Sequence, residues 1–160
     1  MPCCPGGSAR SLGVLITMTI FEIAEALPNG LHDAELETIR IDYPNRTVDL
    51  TLDVWIGTMD NPPSIREVYR KGALSITGLQ YCAIDVPDQA YPYGVSGAVT
   101  IDLAEATAFV PPAASFQCRL WVNEWNGFIH LAAKAAAFVW TGEPVNRKGA
   151  EGAAEADDRR

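Results

Sequence analysis

The chain has 160 residues and a mass of 17.3 kDa, which suits one domain large enough to bury a core without disulfide bonds. Hydrophobic residues make up 48% of the chain, and no apolar run approaches the roughly 20 residues of a membrane-spanning helix. The formal net charge is -8, so the field of the protein repels phosphate backbones. The composition therefore argues against nucleic-acid and membrane partners and favours basic ones.

The termini lack the patterns of a folded domain. Residues 1–17 are expected to be a disordered leader, with Met18 as the true start of translation, while "PVNRKGAEGAAEADDRR" at the other end is rich in Ala, Gly and charge. We therefore predict a single globular domain over residues 18–142 and a disordered tail over 143–160. A secretory signal is disfavoured because Glu22 and Glu25 stand in the would-be cleavage region, which predicts a cytoplasmic protein.

Cys82 and Cys118 are interpreted as small buried hydrophobes in a reducing compartment.

A short helix is expected at the start of this domain. In "TIFEIAEALPNG" the apolar residues from Ile20 to Leu27 recur at helical spacing, and Thr19 stands where an N-cap residue belongs. Pro28 ends the pattern. The sequence predicts one short N-terminal helix capped by Thr19.

Beyond the helix the hydrophobic period becomes two. In "ETIRIDYPNRTVDLTLDVWI", apolar and polar residues alternate on both sides of Pro44-Asn45, which predicts two half-buried strands joined by a turn. The segment "GTMDNPPSIREVYRKG" is expected to be a loop, with room for one helical turn. "ALSITGLQYCAIDV" predicts a longer third strand with a bulge at Gly78, and "AVTIDL" predicts a fourth.

The strongest hairpin signal lies in "FQCRLWVNEWNGFIHLAAKAAAFVW". Asn126-Gly127 can supply the two positive-φ residues of a type I′ turn, which sets Trp125 opposite Phe128 and Trp121 opposite Ala132. The alanine content also permits a helix after this turn, but the turn itself and the Phe-Val-Trp ending favour a strand. The predicted fold class is α+β, mainly β: a single twisted antiparallel sheet of about six strands with one short N-terminal helix.

The cluster His32-Asp33-Ala34-Glu35 raises the question of a metal or acid/base site. The chain has two histidines, so a metal-dependent hydrolase would have to combine His32, Asp33 and Glu35 with His130. In a strand, however, His32 and Asp33 point to opposite faces. The favoured interpretation is structural: Asp33 binds loop backbone, and Glu35 begins the solvent face of the first strand. We predict no catalytic residue, no metal site and no cofactor, since serine-nucleophile and phosphate-loop motifs are also missing.

Two motifs carry a resemblance. "LHDAELETIRIDYPNRTVDLTLDVW" and "LWVNEWNGFIHLAAKAAAFVW" resemble a group of small uncharacterised bacterial proteins over about residues 19 to 142. No activity is known for this group, so the resemblance transfers no catalytic residue. It implies a bacterial protein whose folded core begins near Met18.

One face of the predicted hairpin carries residue types that dominate binding sites. Strict alternation from Phe116 to Ala135 assigns the apolar residues to the core, and the opposite face carries Trp, Arg, Asn and His side chains. The alternative is that the N-terminal helix covers this face through Phe21, Ile23 and Leu27. Together with the "AYPYG" loop, the candidate binding residues are Tyr91, Tyr93, Arg119, Trp121, Asn123, Trp125 and His130.

Three function hypotheses follow. The first is a non-catalytic cytoplasmic binding or interaction protein with a basic protein partner, one form of which is an immunity-like protein that neutralises a basic toxin. The second is a small-molecule binder with a pocket lined by Trp55, Tyr81, Tyr93 and Trp121. The third is the hydrolase built on the two histidines. The oligomeric state is not predicted.

Overall fold

The computed structural model describes residues 18–88, 98–106 and 113–147. The first helix, α1, spans Ile20–Ala26. Its start is fixed by a reciprocal cap: the Thr19 hydroxyl accepts the Glu22 N–H at 3.3 Å, and the Glu22 carboxylate accepts the Thr19 N–H at 2.7 Å. The predicted short helix and its Thr19 cap are confirmed.

Nine strands and two shorter helical segments follow α1 within the described residues. The predicted helical turn in the first long loop is present as α2, Pro63–Arg66, and a 3-10 turn spans Asn123–Trp125. The strands are β1 Ala34–Asp42, β2 Thr47–Trp55, β3 Val68–Thr77, β4 Tyr81–Ile84, β5 Thr100–Glu105, β6 Phe116–Val122, β7 Gly127–Ala133, β8 Ala135–Trp140 and β9 Val145–Asn146.

All strands belong to one antiparallel sheet. Their order is β4-β7-β6-β5-β1-β2-β3-β8, and β9 pairs with the first residues of β3. Three residues separate β3 from β4, and Lys134 alone separates β7 from β8. Because β4 and β8 lie at opposite ends of this order, these short connections require the sheet to be rolled, with an inner and an outer face.

The mainly β fold class is confirmed, but the strand number is not: the sheet has nine strands rather than about six. The predicted third strand is divided into β3 and β4 at Gly78, whose φ of 65° interrupts the extended backbone. The predicted last strand is divided at Lys134 into β7 and β8, which pair with different neighbours. The ninth strand lies beyond the predicted end of the domain.

The inner face of the rolled sheet and α1 enclose one core. Ile20 and Ile23 of α1 are buried against strand residues from both halves of the sheet, so the helix lies on the inner side. Burying these apolar side chains is the dominant favourable contribution to folding. The largest fully buried side chains are Ile20, Leu31, Val48, Leu50, Leu52, Val54, Leu74, Ile76, Ile101, Leu120, Ile129 and Leu131.

The β6–β7 hairpin has the predicted faces but not the predicted turn. Its loop is the 3-10 turn plus Asn126, which has a φ of 47°, whereas Gly127 has no positive φ and already belongs to β7. Trp121 therefore pairs with Phe128 instead of Ala132, a shift of four residues. Because the shift is even, Arg119, Trp121 and His130 within the two strands keep their predicted face.

The chain after the predicted boundary at residue 142 continues the domain. β9 pairs with β3, and the Arg147 guanidinium then reaches across to β1 and β2. It donates to both Glu35 carboxylate oxygens, at 2.5 and 2.8 Å, and to Asp53 at 2.7 Å, and it lies 3.9 Å from the centre of the Tyr69 ring. The predicted leader and residues 148–160 of the predicted tail lie outside the described residues.

Candidate functional site

Three of the predicted binding residues share the outer face of β6 and β7. Arg119 and Trp121 alternate along β6 with buried Cys118, Leu120 and Val122, and His130 lies on β7 directly opposite Arg119. Asn123 adjoins them at the start of the hairpin loop, and all four are half-buried. We call the surface formed by Arg119, Trp121, Asn123, Phe128 and His130 the aromatic strip.

The rings of the strip pack against one another. Trp121 meets Phe128 edge to face at a centroid distance of 4.9 Å, and Phe128 lies 5.8 Å from the His130 ring. The Arg119 guanidinium covers Phe128 at 4.6 Å and donates through Nε to the Glu105 carbonyl. These contacts hold an aromatic surface in one arrangement before any partner binds, which lowers the entropic cost of binding.

Asp85 pairs with His130 at the β4 side of the strip. Its Oδ1 lies 2.9 Å from His130 Nε2, and its Oδ2 accepts the Phe128 N–H at 3.0 Å. Burial acts to raise the pKa of Asp85, but the hydrogen bonds from Phe128 and His130 outweigh it, so this pKa is lowered. Asp85 is therefore an anion at neutral pH.

Asp102 of β5 pairs with His32 at the opposite side of the strip. Its Oδ1 lies 2.5 Å from His32 Nδ1, and its Oδ2 accepts from Asn123 Nδ2 at 3.5 Å. Asn123 Oδ1 in turn accepts the Trp121 indole N–H at 2.8 Å. The hydrogen bond to Asp102 raises the pKa of His32, and the nearby Asp33 carboxylate adds to the rise. A His–Asp pair thus flanks the aromatic rings on each side.

The other predicted binding residues lie elsewhere. Trp125 does not belong to the aromatic strip, because the 3-10 turn directs its side chain toward the core. There it is half-buried and packs against core residues. Tyr91 and Tyr93 lie outside the described residues. The alternative in which α1 covers the strip does not fit the structure, since Ile23 and Leu27 belong to the core on the inner side.

Sequence reasoning missed Asp85 and Asp102, which complete the two pairs. Asp85 contacts His130 across 45 positions, and Asp102 contacts His32 across 70. No local pattern joins residues so far apart. The alternation in "AVTIDL" could have placed Asp102 on an outer face, but not beside Trp121.

The structure does not assemble the residues of the hydrolase hypothesis. Glu35 is held by Arg147 and His130 by Asp85, so neither joins His32 and Asp33. Over residues 18–88, 98–106 and 113–147, the one group of three potential metal ligands is His32, Asp33 and Asp102, with ligand atoms within 4.8 Å of one another. His32 and Asp33 are more than half exposed in this group, and hydrogen bonding between them and Asp102 accounts for their arrangement.

The two described cysteines are free thiols that burial keeps protonated. Cys118 is fully buried, and burial raises its pKa to about 12. Burial also raises the pKa of the half-buried Cys82. A nucleophilic cysteine needs a lowered pKa, so neither thiol has the chemistry of a catalytic residue.

The predicted four-residue pocket is divided between separate surfaces. Tyr81 lines a cleft of about 350 Å³ with Tyr43 and Arg46, whereas Trp121 lies on the aromatic strip and Tyr93 is not described. Trp55 lines a different cleft of about 450 Å³, which we call the Trp55 cleft. Its lining residues are His32, Asp33, Trp55, Met59, Arg66, Glu67 and Tyr69.

Comparison with known proteins gives no assignment. No protein-family model matches the sequence, and no curated protein matches it either. The chain is similar to an uncharacterized protein from Neisseria gonorrhoeae with a crystal structure, at 13% identity and a TM-score of 0.38, over 67% of this chain and 90% of that one. So distant a likeness carries no argument about function, and the resemblance to small uncharacterised bacterial proteins stays a prediction.

No helix in the described ranges has both the length and the apolar character needed to cross a membrane.

Proposed function

We propose that this chain is a cytoplasmic, non-catalytic binding protein that captures a basic segment of a partner protein on the aromatic strip. The observation that carries the proposal is the pair of His–Asp contacts on either side of the Trp121 and Phe128 rings, which meet edge to face. Aromatic rings bounded by carboxylates match the side chains of Lys and Arg, whose alkyl stems pack on rings and whose charges bind carboxylates.

Charge supports this choice of partner. Asp85, Asp102 and Glu124 lie in or beside the strip, and Arg119 is the one guanidinium among its members. A neutral histidine binds an aspartate without cancelling its charge. Because the hydrogen bond to Asp102 raises the pKa of His32, the Asp102 side of the surface is fully negative only above that raised pKa. The formal charge of -8 for the whole chain extends the same field and would speed the approach of a basic partner.

Rigidity supports a binding role as well. The Trp121 indole is held by Asn123, which also donates to the Thr100 hydroxyl at 3.0 Å. Glu124 in turn accepts from the Thr100 N–H and hydroxyl, at 2.7 and 3.0 Å. Ordered aromatic side chains that are already half-buried lose little further entropy on binding, which is typical of interface anchors.

A titration followed by amide NMR tests the proposal. Deca-lysine should shift the amide signals of β6, β7 and the Asp102 region, while deca-glutamate should leave them unchanged. The double substitution Asp85→Asn with Asp102→Asn should weaken deca-lysine binding by about tenfold or more, because a charge-assisted contact typically contributes about 1.5 to 3 kcal/mol. Trp121→Ala should weaken it by a similar factor.

The matched control is Asp49→Asn, which removes an exposed carboxylate from β2, where Asp49 accepts the Ser75 hydroxyl at 2.7 Å. This variant should bind deca-lysine within about twofold of the parent, since a surface charge away from the site acts weakly through screened solvent. Shifts spread over every acidic surface, or equal losses in the control, would show non-specific attraction and refute the proposal.

A further inference from the structure

The Trp55 cleft lies where β2 ends and β3 begins. Trp55 and Tyr69 are paired residues of these two strands and share the outer face. The side chains of Asp33 and Glu67 complete its acidic lining. A volume of about 450 Å³ lies within the range that accommodates a small molecule.

The Trp55 wall of the cleft is fixed in place. Trp55 Nε1 donates to the Arg66 carbonyl at 2.9 Å, and the Asn29 amide donates to the carbonyls of Trp55 and Gly57, at 3.1 and 2.8 Å. Gly57 permits this packing, because a Cβ there would lie 1.7 Å from the Arg66 carbonyl oxygen. The indole therefore cannot turn away without breaking its hydrogen bond to the Arg66 carbonyl, and Asn29 holds the backbone that carries it.

The contacts of Tyr69, on the other wall of the cleft, show that this surface binds a guanidinium group. Arg147 places its guanidinium 3.9 Å from the Tyr69 ring centre while donating to both oxygens of Glu35. A planar cation is thus already bound between an aromatic ring and a carboxylate, the arrangement that suits guanidinium best. The Trp55 cleft offers the same two groups a second time, with Trp55 as the ring and Asp33 as the carboxylate.

While His32 is neutral, the lining residues Asp33, Glu67 and Arg66 give the cleft a surplus of one negative charge. Arg66 is paired with Glu67 at 3.2 Å and Arg147 with Glu35 and Asp53, whereas the Asp33 carboxylate contacts His32 Nε2 at 3.3 Å. Burial raises the pKa of Tyr69, and Glu67, Glu35 and Asp33 raise it further against the opposing effect of Arg147. The carboxylates therefore dominate the field at the ring.

We infer that the Trp55 cleft binds a small organic cation, an alkylguanidinium or alkylammonium, with its charge on Asp33 and its body against Trp55 and Tyr69. The alternative ligand is a divalent metal ion bound by His32, Asp33 and Asp102, at the Asp33 side of the cleft. It would use the histidine and carboxylates but would gain nothing from the aromatic rings. The cation site is separate from the aromatic strip and does not depend on the function proposed for it.

Heteronuclear NMR on the full chain tests this inference with ethylguanidinium as the probe. The Trp55 indole signal, assigned by its absence in Trp55→Phe, should shift together with the amides of Asp33 and Tyr69. n-Butylammonium should produce shifts of the same signals with weaker affinity, and neutral n-propanol should produce none. The capped peptide Gly-Arg-Gly as a further probe shows whether the cleft also accepts the guanidinium of a polypeptide.

Asp33→Asn is the decisive variant because Asp33 has a φ of 53°, a conformation that Asn tolerates, so the fold is retained. It should weaken ethylguanidinium binding about tenfold or more, since it removes the charge but keeps the side-chain shape. Asp85→Asn, which alters the aromatic strip, and Asp49→Asn should leave this binding unchanged. A thermal melt of each variant verifies that it is folded.

Two results would overturn the inference. One is that n-propanol shifts the Trp55 signal as strongly as ethylguanidinium, which would leave an apolar cleft without charge recognition. The other is that ethylguanidinium does not bind, whereas Zn²⁺ or Ca²⁺ binds to the parent and binds more weakly to Asp33→Asn. That result would assign the group of His32, Asp33 and Asp102 to a metal ion.

Discussion

Two regions of the outer face of the rolled sheet differ in the residues that pair with their carboxylates. On β1, β2 and β3, each of the carboxylates Glu35, Glu37 and Asp53 contacts a Lys or Arg of the same chain. Beside β6 and β7, the carboxylates of Asp85, which directly follows β4, and Asp102 of β5 contact histidines instead. Those three carboxylates are neutralised within the molecule, whereas Asp85 and Asp102 keep their negative charge unless their histidines are protonated.

The difference separates structural charge from charge available to a partner. A carboxylate bound by a guanidinium binds a further cation weakly, because the guanidinium already offsets its charge. A carboxylate bound by a neutral histidine is oriented but still charged. The face formed by β1, β2 and β3 should therefore contribute to stability, and the aromatic strip should contribute to binding.

The largest expected effect is on stability and comes from the end of the chain. The sequence predicts a disordered tail over residues 143–160, but β9 and Arg147 lie in that segment. A chain ending at residue 142 should lose about 2 to 4 kcal/mol in free energy of unfolding, through lost strand pairing and carboxylates left without their cation. Urea unfolding measures this loss.

A chain ending at residue 147 is the matched control for that truncation. It lacks the same residues 148–160 but keeps β9 and Arg147, so its unfolding midpoint should stay close to that of the full chain. Equal midpoints for the two truncations would mean that residues 143–147 contribute nothing to the fold.

Within the segment, Arg147→Ala isolates the ion network. The substitution leaves Glu35 and Asp53, whose side chains are 20% and 13% exposed, side by side without a cation. Because the Arg147 side chain is itself 39% exposed, we expect a discounted loss of about 1 to 2 kcal/mol in urea unfolding. Additional Glu35→Gln in the same chain should recover part of it by removing one of the two repelling charges. No recovery would count against the electrostatic explanation.

Sequence reasoning recovered what depends on local pattern. Alternation correctly assigned Leu120 to the core and Trp121 to the outer face, and helical spacing with Thr19 located α1. It could not recover the hairpin register, since the four-residue loop and a two-residue turn are both compatible with Asn126-Gly127. Neither could it find the contact between Arg147 and Glu35, 112 positions apart, because a charged residue in a polar tail has many possible partners.

On the aromatic strip, truncation of Trp121 should cost little stability. Trp121→Ala removes the edge-to-face contact with Phe128 and one hydrogen bond, but no core packing, so we expect a loss of about 1 kcal/mol in urea unfolding. A double-mutant cycle with Phe128→Ala should give a coupling of about 0.5 to 1.5 kcal/mol. Leu120→Ala, one residue away on the inner face, is the control and should cost about 2 to 5 kcal/mol. Comparable losses at both positions would make the strip part of the core.

The smallest expected effect concerns His32 and depends on pH. Its pKa is raised in the folded chain by the hydrogen bond to Asp102, so the folded state holds the proton more tightly than the unfolded state does. The resulting stabilisation is complete below the unfolded pKa of about 6.5 and disappears as pH rises through the higher folded pKa. His32→Gln should therefore destabilise the protein more at pH 5.5 than at pH 8.5, by under about 1 kcal/mol because the imidazole is exposed. In an Asp102→Asn background that pH-dependent difference should shrink, since the main cause of the shift is gone. If His32→Gln has the same effect at both pH values, protonation of His32 is not coupled to folding, and the charge of the strip would not be tuned by this pair.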